Sequence, residues 1–246
     1  MYNNADCILD CLESVKAQTY DPIEHVVIDG GSSDGTQQII APYVKDLGYY
    51  ISEPDSGLYN ALNKGIAKCS GDIIGILHSD DVFYNTKVIA SVVRQFKNQK
   101  ADLVYANGLY VERENPDNIQ RIYKSKHFKN NYLRLGWIPL HTTIFVKKTV
   151  FKTHGLYDES YRIASDYEIS LRWFFDSKIK KVFLNQWVVK MRLGGKSTTL
   201  GLQKQKTKED QNIITKYPLM GNLTLVLKIL QKIPQYLLPR LFKIKA

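Results

Sequence analysis

The sequence predicts an α/β protein with a mostly parallel, Rossmann-like sheet that is covered by helices on both faces. Two observations lead to this fold class. β-rich runs alternate along the chain with segments in which apolar residues recur at helical spacing, and the connections between them are short. Two of these β-rich runs also end in acidic residues, at the sheet edge where open parallel sheets bind their ligands.

The elements follow one another in a regular order. Apolar residues at helical spacing predict helices in four segments, 5–15, 39–47, 58–69 and 88–96. Runs rich in β-branched and aromatic residues predict strands at 23–29, 49–52 and 73–77. The segments "GGSSDGT" and "GD" supply turns between them. Because strands and helices alternate, right-handed crossovers would place the strands side by side in one sheet.

Composition limits the classes of function. The 246 residues are 44% hydrophobic and 24% charged, which is typical of a globular protein, and the net charge of +10 attracts anions. The lysines are scattered and no nucleic-acid recognition motif is present, so a nucleic-acid partner is not expected. Three cysteines are too few and too unevenly placed for a disulfide framework, which favours a reducing compartment. No stretch of about 20 residues is apolar enough to span a bilayer.

Acidic residues stand directly after two predicted strands. Asp29 ends "VVID", and Asp80 and Asp81 end "GILHSDD". Adjacent carboxylates repel one another unless a positive charge lies beside them, and a divalent cation would supply it. Each feature also has a structural reading, since an Asp at such a place caps a turn or the next helix. Their shared position at one sheet edge favours a common ligand, for which a nucleotide is suited.

Four motifs give the sequence a family resemblance. The stretches "YNNADCILDCLESVKAQTY", "HVVIDGGSSDGT", "DSGLYNALNKGIAKCSGDIIGILHSDD" and "ASDYEISLRW" resemble the family 2 glycosyltransferases in type, order and spacing. The resemblance covers roughly residues 2–195. It implies an A-type glycosyltransferase fold, a nucleotide-sugar donor and a divalent cation, either Mn²⁺ or Mg²⁺.

The resemblance also implies roles for individual residues. The acidic pair corresponds to the family's DXD element, which assigns Asp81 to the metal and places Asp80 near the ribose or sugar of the donor. Donor binding is implied for Asp29, Gly30, Asn60, Lys64, Asp80 and His141. Asp166 matches an acid of the family's "ED" element and is the candidate base, which takes the proton of the acceptor hydroxyl while that oxygen attacks the anomeric carbon with inversion. The structural alternative for Asp166 is a helix N-cap, with Ser165 as an equal rival.

Three features depart from the family pattern. Ile169 stands where the "QXXRW" signature of the processive enzymes has Gln, which favours the transfer of a single sugar. Gly30 stands where many relatives have a second acid that recognises uracil, so Asp29 would act alone on the base of a UDP-sugar, or base selectivity would differ. The hydrophobic strand that normally leads into "YNN" is expected to be missing from this chain.

Two other functions stay open at this point. A chain without its first strand could be a truncated, inactive remnant. A metal-dependent nucleotidyltransferase would share an acidic site and a nucleotide, but it would attack phosphorus and release pyrophosphate. Release of a free nucleoside diphosphate would instead indicate glycosyl transfer.

The sequence predicts a catalytic domain at residues 1–195 and a basic, amphipathic extension at residues 196–246. The extension mixes Leu, Ile and Val with basic residues in "TLVLKILQKIPQYLLPRLFKIK". A segment on an anionic membrane surface and a helix packed on the domain or on a partner are equal alternatives. A glycan or lipid-linked acceptor is expected, in the cytoplasm or peripherally on the inner face of the cytoplasmic membrane, where the resemblance implies surface polysaccharide assembly.

Overall fold

The computed structural model describes residues 1–194 and 200–242, which form an α/β fold. Its strands are β1 (Val26–Asp29), β2 (Tyr49–Ser52), β3 (Ile73–Gly75), β4 (Val82–Phe83), β5 (Leu103–Val111), β6 (Ile119–Tyr123), β7 (Ile144–Lys147) and β8 (Lys181–Arg192). Its helices are α1 (Ala5–Lys16), α2 (Thr36–Ile40), α3 (Leu58–Lys68), α4 (Val88–Gln99), α5 (Asn130–Arg134), α6 (Lys148–His154), α7 (Ser165–Phe175), α8 (Leu200–Lys216), α9 (Asn222–Leu230) and α10 (Lys232–Phe242).

The α/β class is confirmed, but the prediction of a mostly parallel sheet is wrong. Only β1–β2 and β5–β8 pair in parallel within the described residues, while β3–β7, β5–β7, β5–β6 and β4–β8 are antiparallel. The physical reason lies after residue 100, where β5 and β6 are joined by only a few residues. A connection of that length permits an antiparallel hairpin but not a crossover between parallel strands.

One predicted helix also differs from the expectation. The segment 39–47 divides into the end of α2 and a 3₁₀ helix over Ala41–Asp46. Pro42 stands at the start of that turn, where its ring and missing N–H prevent a longer α-helix. The other early elements lie where the periodicity places them, with ends that differ by a few residues.

The strands form two separate sheets within the described residues. β1 and β2 make a two-stranded sheet, and the other six strands make a second sheet in which β3 lies at one edge. Both β1 and β3 line one cleft, together with apolar side chains of α1, α3 and α4. The amino group of Met1 donates to Ile28 O at 2.7 Å, and Gly30 N donates to Met1 O at 2.8 Å. Met1 thus pairs with the open edge of β1 as a parallel strand would.

The C-terminal helices pack against the preceding part of the chain. Ile213 and Ile214 on α8 are buried in the largest apolar cluster, which also contains Tyr105 and Phe174. On α9, the Thr224 hydroxyl is fully buried and donates to Arg134 O at 2.7 Å. The proposed division at residue 195 stays a prediction, and the residues on both sides of it share one core.

Gly136 lets α9 approach the body of the protein. It has a φ of +79°, and a Cβ there would lie 2.7 Å from both Lys228 N and Thr224 O. We expect Gly136→Ala to lower the free energy of unfolding by about 3 kcal/mol, because the methyl group strains the left-handed backbone and displaces α9. Urea denaturation measures this change. Gly201→Ala is the control, because nothing lies within 4 Å of its Cβ and helical propensity favours Ala by about 0.5–1 kcal/mol.

No helix in the described part of the chain combines the length and the apolar composition that crossing a bilayer requires.

Candidate active site

A cleft of ≈ 2240 Å³ brings most of the predicted site residues together. Asn60, Asp80, Asp81, His141 and Asp166 all line it. They come from the start of α3, the segment after β3, the 3₁₀ turn before β7 and the first turn of α7. These segments are far apart in sequence, so the cleft is a product of the tertiary fold.

The remaining predicted residues lie beside the cleft without lining it. The buried Asp29 carboxylate accepts from Ser32 N at 3.0 Å and from the hydroxyls of Ser32 and Ser52, which fixes the turn after β1. Gly30 lies so close to Asp55 that a Cβ would reach 2.5 Å from its Oδ2. Lys64 pairs with Glu53 at 2.7 Å. Asn60, although in the cleft, donates to Glu159 at 3.0 Å.

The acidic pair is held between two arginines. Asp81 is only 1% exposed, and its Oδ1 accepts from Arg192 N at 3.1 Å. Arg113 Nη1 lies 3.7 Å from Asp80 Oδ2, and Arg192 Nη1 donates to Asp80 O at 3.3 Å. Burial, followed by the neighbouring Asp80, raises the pKa of Asp81 well above its usual range. A negative charge on Asp81 is therefore unfavourable in the unliganded protein.

Asp81 Oδ2 fits a divalent cation. This atom is buried and has no hydrogen-bond partner, which is rare for a carboxylate oxygen in a native structure. Across the described residues, no cluster of three or more His, Cys, Asp or Glu side chains is arranged to hold a metal. A cation at Asp81 would therefore complete its ligand set with oxygen atoms of a bound ligand or of water.

Asp166 lies in the first turn of α7. The N-cap position belongs to Ala164, so the Asp166 side chain does not serve as the helix cap. Its Oδ1 accepts from Tyr167 N at 2.9 Å and from the Tyr59 hydroxyl at 3.2 Å. Glu209 on α8 accepts from the backbone N–H groups of Ile163 and Ala164, both at 2.9 Å. The start of α7 is thus fixed by hydrogen bonds from two other helices.

Two histidines extend from Asp166 into the cleft. His141 Nδ1 lies 3.2 Å from Asp166 Oδ2, and His141 Nε2 lies 2.9 Å from His78 Nε2. Burial lowers the pKa of His78 to about 3, and burial also lowers the pKa of His141, so both rings are neutral at neutral pH. If His141 donates from Nδ1 to Asp166, its Nε2 must accept, and His78 is the donor to it. This series of hydrogen bonds, from His78 through His141, orients the Asp166 carboxylate.

The charge of Asp166 is supported by its surroundings. Burial raises the pKa of this carboxyl group, but His141, Lys206 and Lys228 outweigh that effect and hold the pKa below its usual value. The carboxylate is therefore ionised at neutral pH, and Asp166 lines the same cleft as Lys206 and Lys228 of the C-terminal helices. An ionised, oriented carboxylate of this kind can accept a proton from a bound hydroxyl.

Several contact residues were not found from the sequence. Tyr59 and Glu209 position Asp166, and His78 contacts His141. Arg113 and Arg192 hold the acidic pair. His78 carried a weak signal, since it stands three residues before Asp81 at a strand end. The others come from distant segments whose approach no local pattern encodes.

Comparisons with known proteins identify the family and the fold of the chain. Residues 1–153 match the family described as "Glycosyl transferase family 2". An uncharacterized glycosyltransferase of Mycobacterium tuberculosis is 34% identical over 174 residues, which are 70% of this chain and 65% of that relative. The chain thus spans slightly less than two thirds of that relative's length.

Two solved structures share the fold. S. aureus TarS (residues 1–349), in complex with UDP-GlcNAc, has a TM-score of 0.68 at 15% identity and covers 92% of this chain and 68% of its own. The mannosyltransferase PcManGT of Pyrobaculum calidifontis, in complex with GDP-Man and Mn²⁺, has a TM-score of 0.59 at 16% identity and covers 97% of this chain and 71% of its own. At these identities the likeness concerns the fold. Because the family match extends over more than half of its residues, the chain belongs to glycosyl transferase family 2.

Proposed function

We propose that this chain transfers a single sugar from a UDP-sugar to a hydroxyl group of a glycan or lipid-linked acceptor, with inversion at the anomeric carbon. The observation that carries the proposal is that two carboxylates, those of Asp81 and Asp166, line the same cleft. Asp81 presents a buried oxygen without a partner, and Asp166 presents an ionised, oriented oxygen. These two groups suit the two ends of a glycosyl transfer, the departing diphosphate and the attacking hydroxyl.

Asp166 acts as the base in this proposal. It accepts the proton of the acceptor hydroxyl as that oxygen forms its bond to the anomeric carbon, while the bond from that carbon to the diphosphate oxygen breaks. Tyr59 and His141 hold the carboxylate in place from two sides. His141, which the resemblance assigns to donor binding, is therefore proposed to orient the base.

Asp81 is the proposed ligand of Mn²⁺ or Mg²⁺, with Asp80 beside it. When bound, such a cation supplies positive charge that stabilises the departing diphosphate. The Mn²⁺ in the PcManGT complex, which shares the fold, supports the presence of a divalent cation. Arg113 and Arg192 keep the acidic pair in position before any ligand arrives.

The donor is proposed to be a UDP-sugar because TarS, which shares the fold, was solved in complex with UDP-GlcNAc. Asp29, Gly30 and Lys64 would act on the donor indirectly, by shaping the turns around β1 and β2. The Asp29 carboxylate in particular already accepts hydrogen bonds from Ser32 and Ser52. Asn60 would need to release Glu159 before it contacts a donor.

The first test is a calorimetric titration of the chain with UDP, with and without Mn²⁺, followed by incubation with UDP-sugars and acceptors. Metal-dependent UDP binding and release of UDP are expected. Absence of UDP binding would favour the inactive remnant. Release of pyrophosphate would favour the nucleotidyltransferase.

The outer face of α9 supports a peripheral membrane contact, which we include in the proposal. Its orientation is the reverse of an ordinary surface helix, because Val226 and Ile229 are each 50% exposed while the Lys228 side chain is only 13% exposed. On α10, Ile233 and Leu237 are exposed as well. Exposed apolar side chains on adjacent helices of a basic protein are typical of binding to an anionic bilayer surface.

We expect the double variant Val226→Glu/Ile229→Glu to bind phosphatidylglycerol vesicles at least about tenfold more weakly, because two apolar side chains no longer enter the interface. Vesicle sedimentation measures the bound fraction. The matched control is Leu9→Glu/Val44→Glu, which changes two exposed apolar residues, 45% and 40% exposed, on other helical segments. Equal loss in both double variants would contradict a specific contact through α9.

A further inference from the structure

Three basic side chains without acidic partners meet at the part of the cleft that the C-terminal helices form. We call Arg121, Lys206 and Lys232 the cationic cluster, and all three line the cleft that holds Asp166. In the described part of the chain, none of the three forms an ion pair with a carboxylate. Lys228 also lines this cleft, but its positive charge is neutralised by Asp210, whose Oδ1 lies 2.7 Å from Lys228 Nζ.

Arg121 is the most buried member of the cluster. It is 8% exposed, and its guanidinium lies 4.6 Å from the ring centre of Tyr110 and 5.1 Å from that of Tyr236. Its Nε donates to Gln235 Oε1 at 2.7 Å. A buried guanidinium held by aromatic rings keeps its positive charge while its terminal N–H groups stay available to a ligand.

The members of the cluster act on one another and on Asp166. Burial lowers the pKa of Lys232, and the charges of Lys206 and Arg121 lower it further. The charge of Lys206 also lowers the pKa values of Asp166 and His141. Lys206 therefore acts on the base as well as on Lys232. Gathering like charges in a partly buried site costs stability unless an anion neutralises them.

We propose that the cationic cluster binds a phosphate group of the acceptor substrate. The inference rests on the proposed function, since it takes Asp166 as the base that contacts the acceptor hydroxyl. A charged group bound beside that base belongs to the molecule that carries the hydroxyl. The acidic pair at the other part of the cleft has its own arginines, Arg113 and Arg192. The acceptor is thus a phosphate-bearing molecule, and a neutral glycan lacks the group for which the site is built.

The location of the cluster agrees with a lipid phosphate. Lys232 begins α10, directly after α9, and these two helices carry the exposed apolar side chains Val226, Ile229, Ile233 and Leu237. The same pair of helices therefore turns basic groups toward the cleft and apolar groups toward the outside. An acceptor with a phosphate next to an apolar chain would match both faces.

The test titrates the full chain with inorganic pyrophosphate in buffer that contains EDTA and no nucleotide. We expect Lys206→Gln and Lys232→Gln each to weaken pyrophosphate binding on the order of tenfold, because each removes a charge-assisted contact. The matched control is Lys208→Gln, an exposed lysine on the same helix as Lys206. Pyrophosphate affinity that is the same in all three variants and the unchanged chain would overturn the proposal.

Two further measurements separate the sources of phosphate. Affinity for UDP with Mn²⁺ should be unchanged in Lys206→Gln and Lys232→Gln, and a parallel loss would assign the cluster to the donor diphosphate and overturn the proposal. Binding to phosphatidylglycerol vesicles should also be unchanged, and its parallel loss would assign the cluster to membrane headgroups. If UDP binds to no form of the chain, the proposed function fails, while the pyrophosphate comparison still decides whether the cluster binds phosphate.

A thermal measurement adds a readout that a purely structural lysine would not give. The melting temperature of the unliganded protein should rise in Lys232→Gln, because the substitution removes a partly buried charge that Lys206 and Arg121 repel. Addition of pyrophosphate should raise the melting temperature of the unchanged chain more than that of the variant. A lower melting temperature for the unliganded variant would contradict the uncompensated charge on which the proposal depends.

Discussion

Replacement of Asp166 by Asn is expected to lower the rate of sugar transfer by about 10³-fold while the affinity for UDP stays unchanged. An amide cannot accept the proton of the acceptor hydroxyl, but it has nearly the same shape as the carboxylate. Its Oδ1 can still accept from Tyr167 N and the Tyr59 hydroxyl. Single-turnover assays with a UDP-sugar measure the rate, and calorimetry measures UDP affinity.

The histidines can adapt to this substitution. The amide N–H₂ would face His141 Nδ1, which then accepts, so that His141 donates from Nε2 to His78. The control is Asp176→Asn, which alters another carboxylate paired with a histidine, His154 at 2.7 Å, outside the cleft. A variant at Asp166 that kept more than about a tenth of the rate would show that another group is the base.

The second large effect is expected for Asp81→Asn. This variant should lose the dependence of UDP binding on Mn²⁺ and about 10²-fold or more of the transfer rate, because a neutral amide holds a hard cation poorly. The remaining contacts of Asp81 are few, since Oδ1 accepts from Arg192 N and Oδ2 has no partner. Calorimetric titrations of UDP at several Mn²⁺ concentrations measure the change.

Stability separates this effect from misfolding. Burial and the nearby Asp80 raise the pKa of Asp81, which means that its charge is unfavourable in the protein without a ligand. Replacement by a neutral side chain of the same shape should therefore leave the melting temperature unchanged or raise it. An Asp81→Asn protein that is equally stable and still requires Mn²⁺ for UDP binding would contradict the metal assignment.

The sequence was informative wherever local order determines the structure. The alternation of apolar spacing predicted α1, β1, β2, α3, β3 and α4, because each is a local element with its own periodicity. It did not predict that β5 pairs with β7, β6 and β8. Such pairing depends on contacts between segments many residues apart, and the short β5–β6 connection is the one local hint of antiparallel order.

The site shows the same contrast. Asp80, Asp81 and Asp166 stand in motifs and could be selected by their neighbours in sequence. The contact of His78 with His141 joins residues 63 positions apart, and the approach of Lys206 to Asp166 requires the packing of α8. Composition also left the C-terminal segment undecided, because the buried Lys228 and the exposed Val226 reverse the usual pattern of a surface helix.

The division between the two sheets has a consequence for cooperativity. β1 and β2 pack with α1 and α2 around a small cluster of their own, which includes Ile8, Leu12, Val27 and Ile40, and in the described residues no backbone ladder joins them to the larger sheet. A unit tied to the rest through side chains opens at a lower free energy than the core strands do. Some ligands bind only when this unit is folded against the rest of the protein. The apparent affinity for such a ligand is the intrinsic affinity multiplied by the fraction of molecules in that folded state, so ligand binding and local folding are coupled.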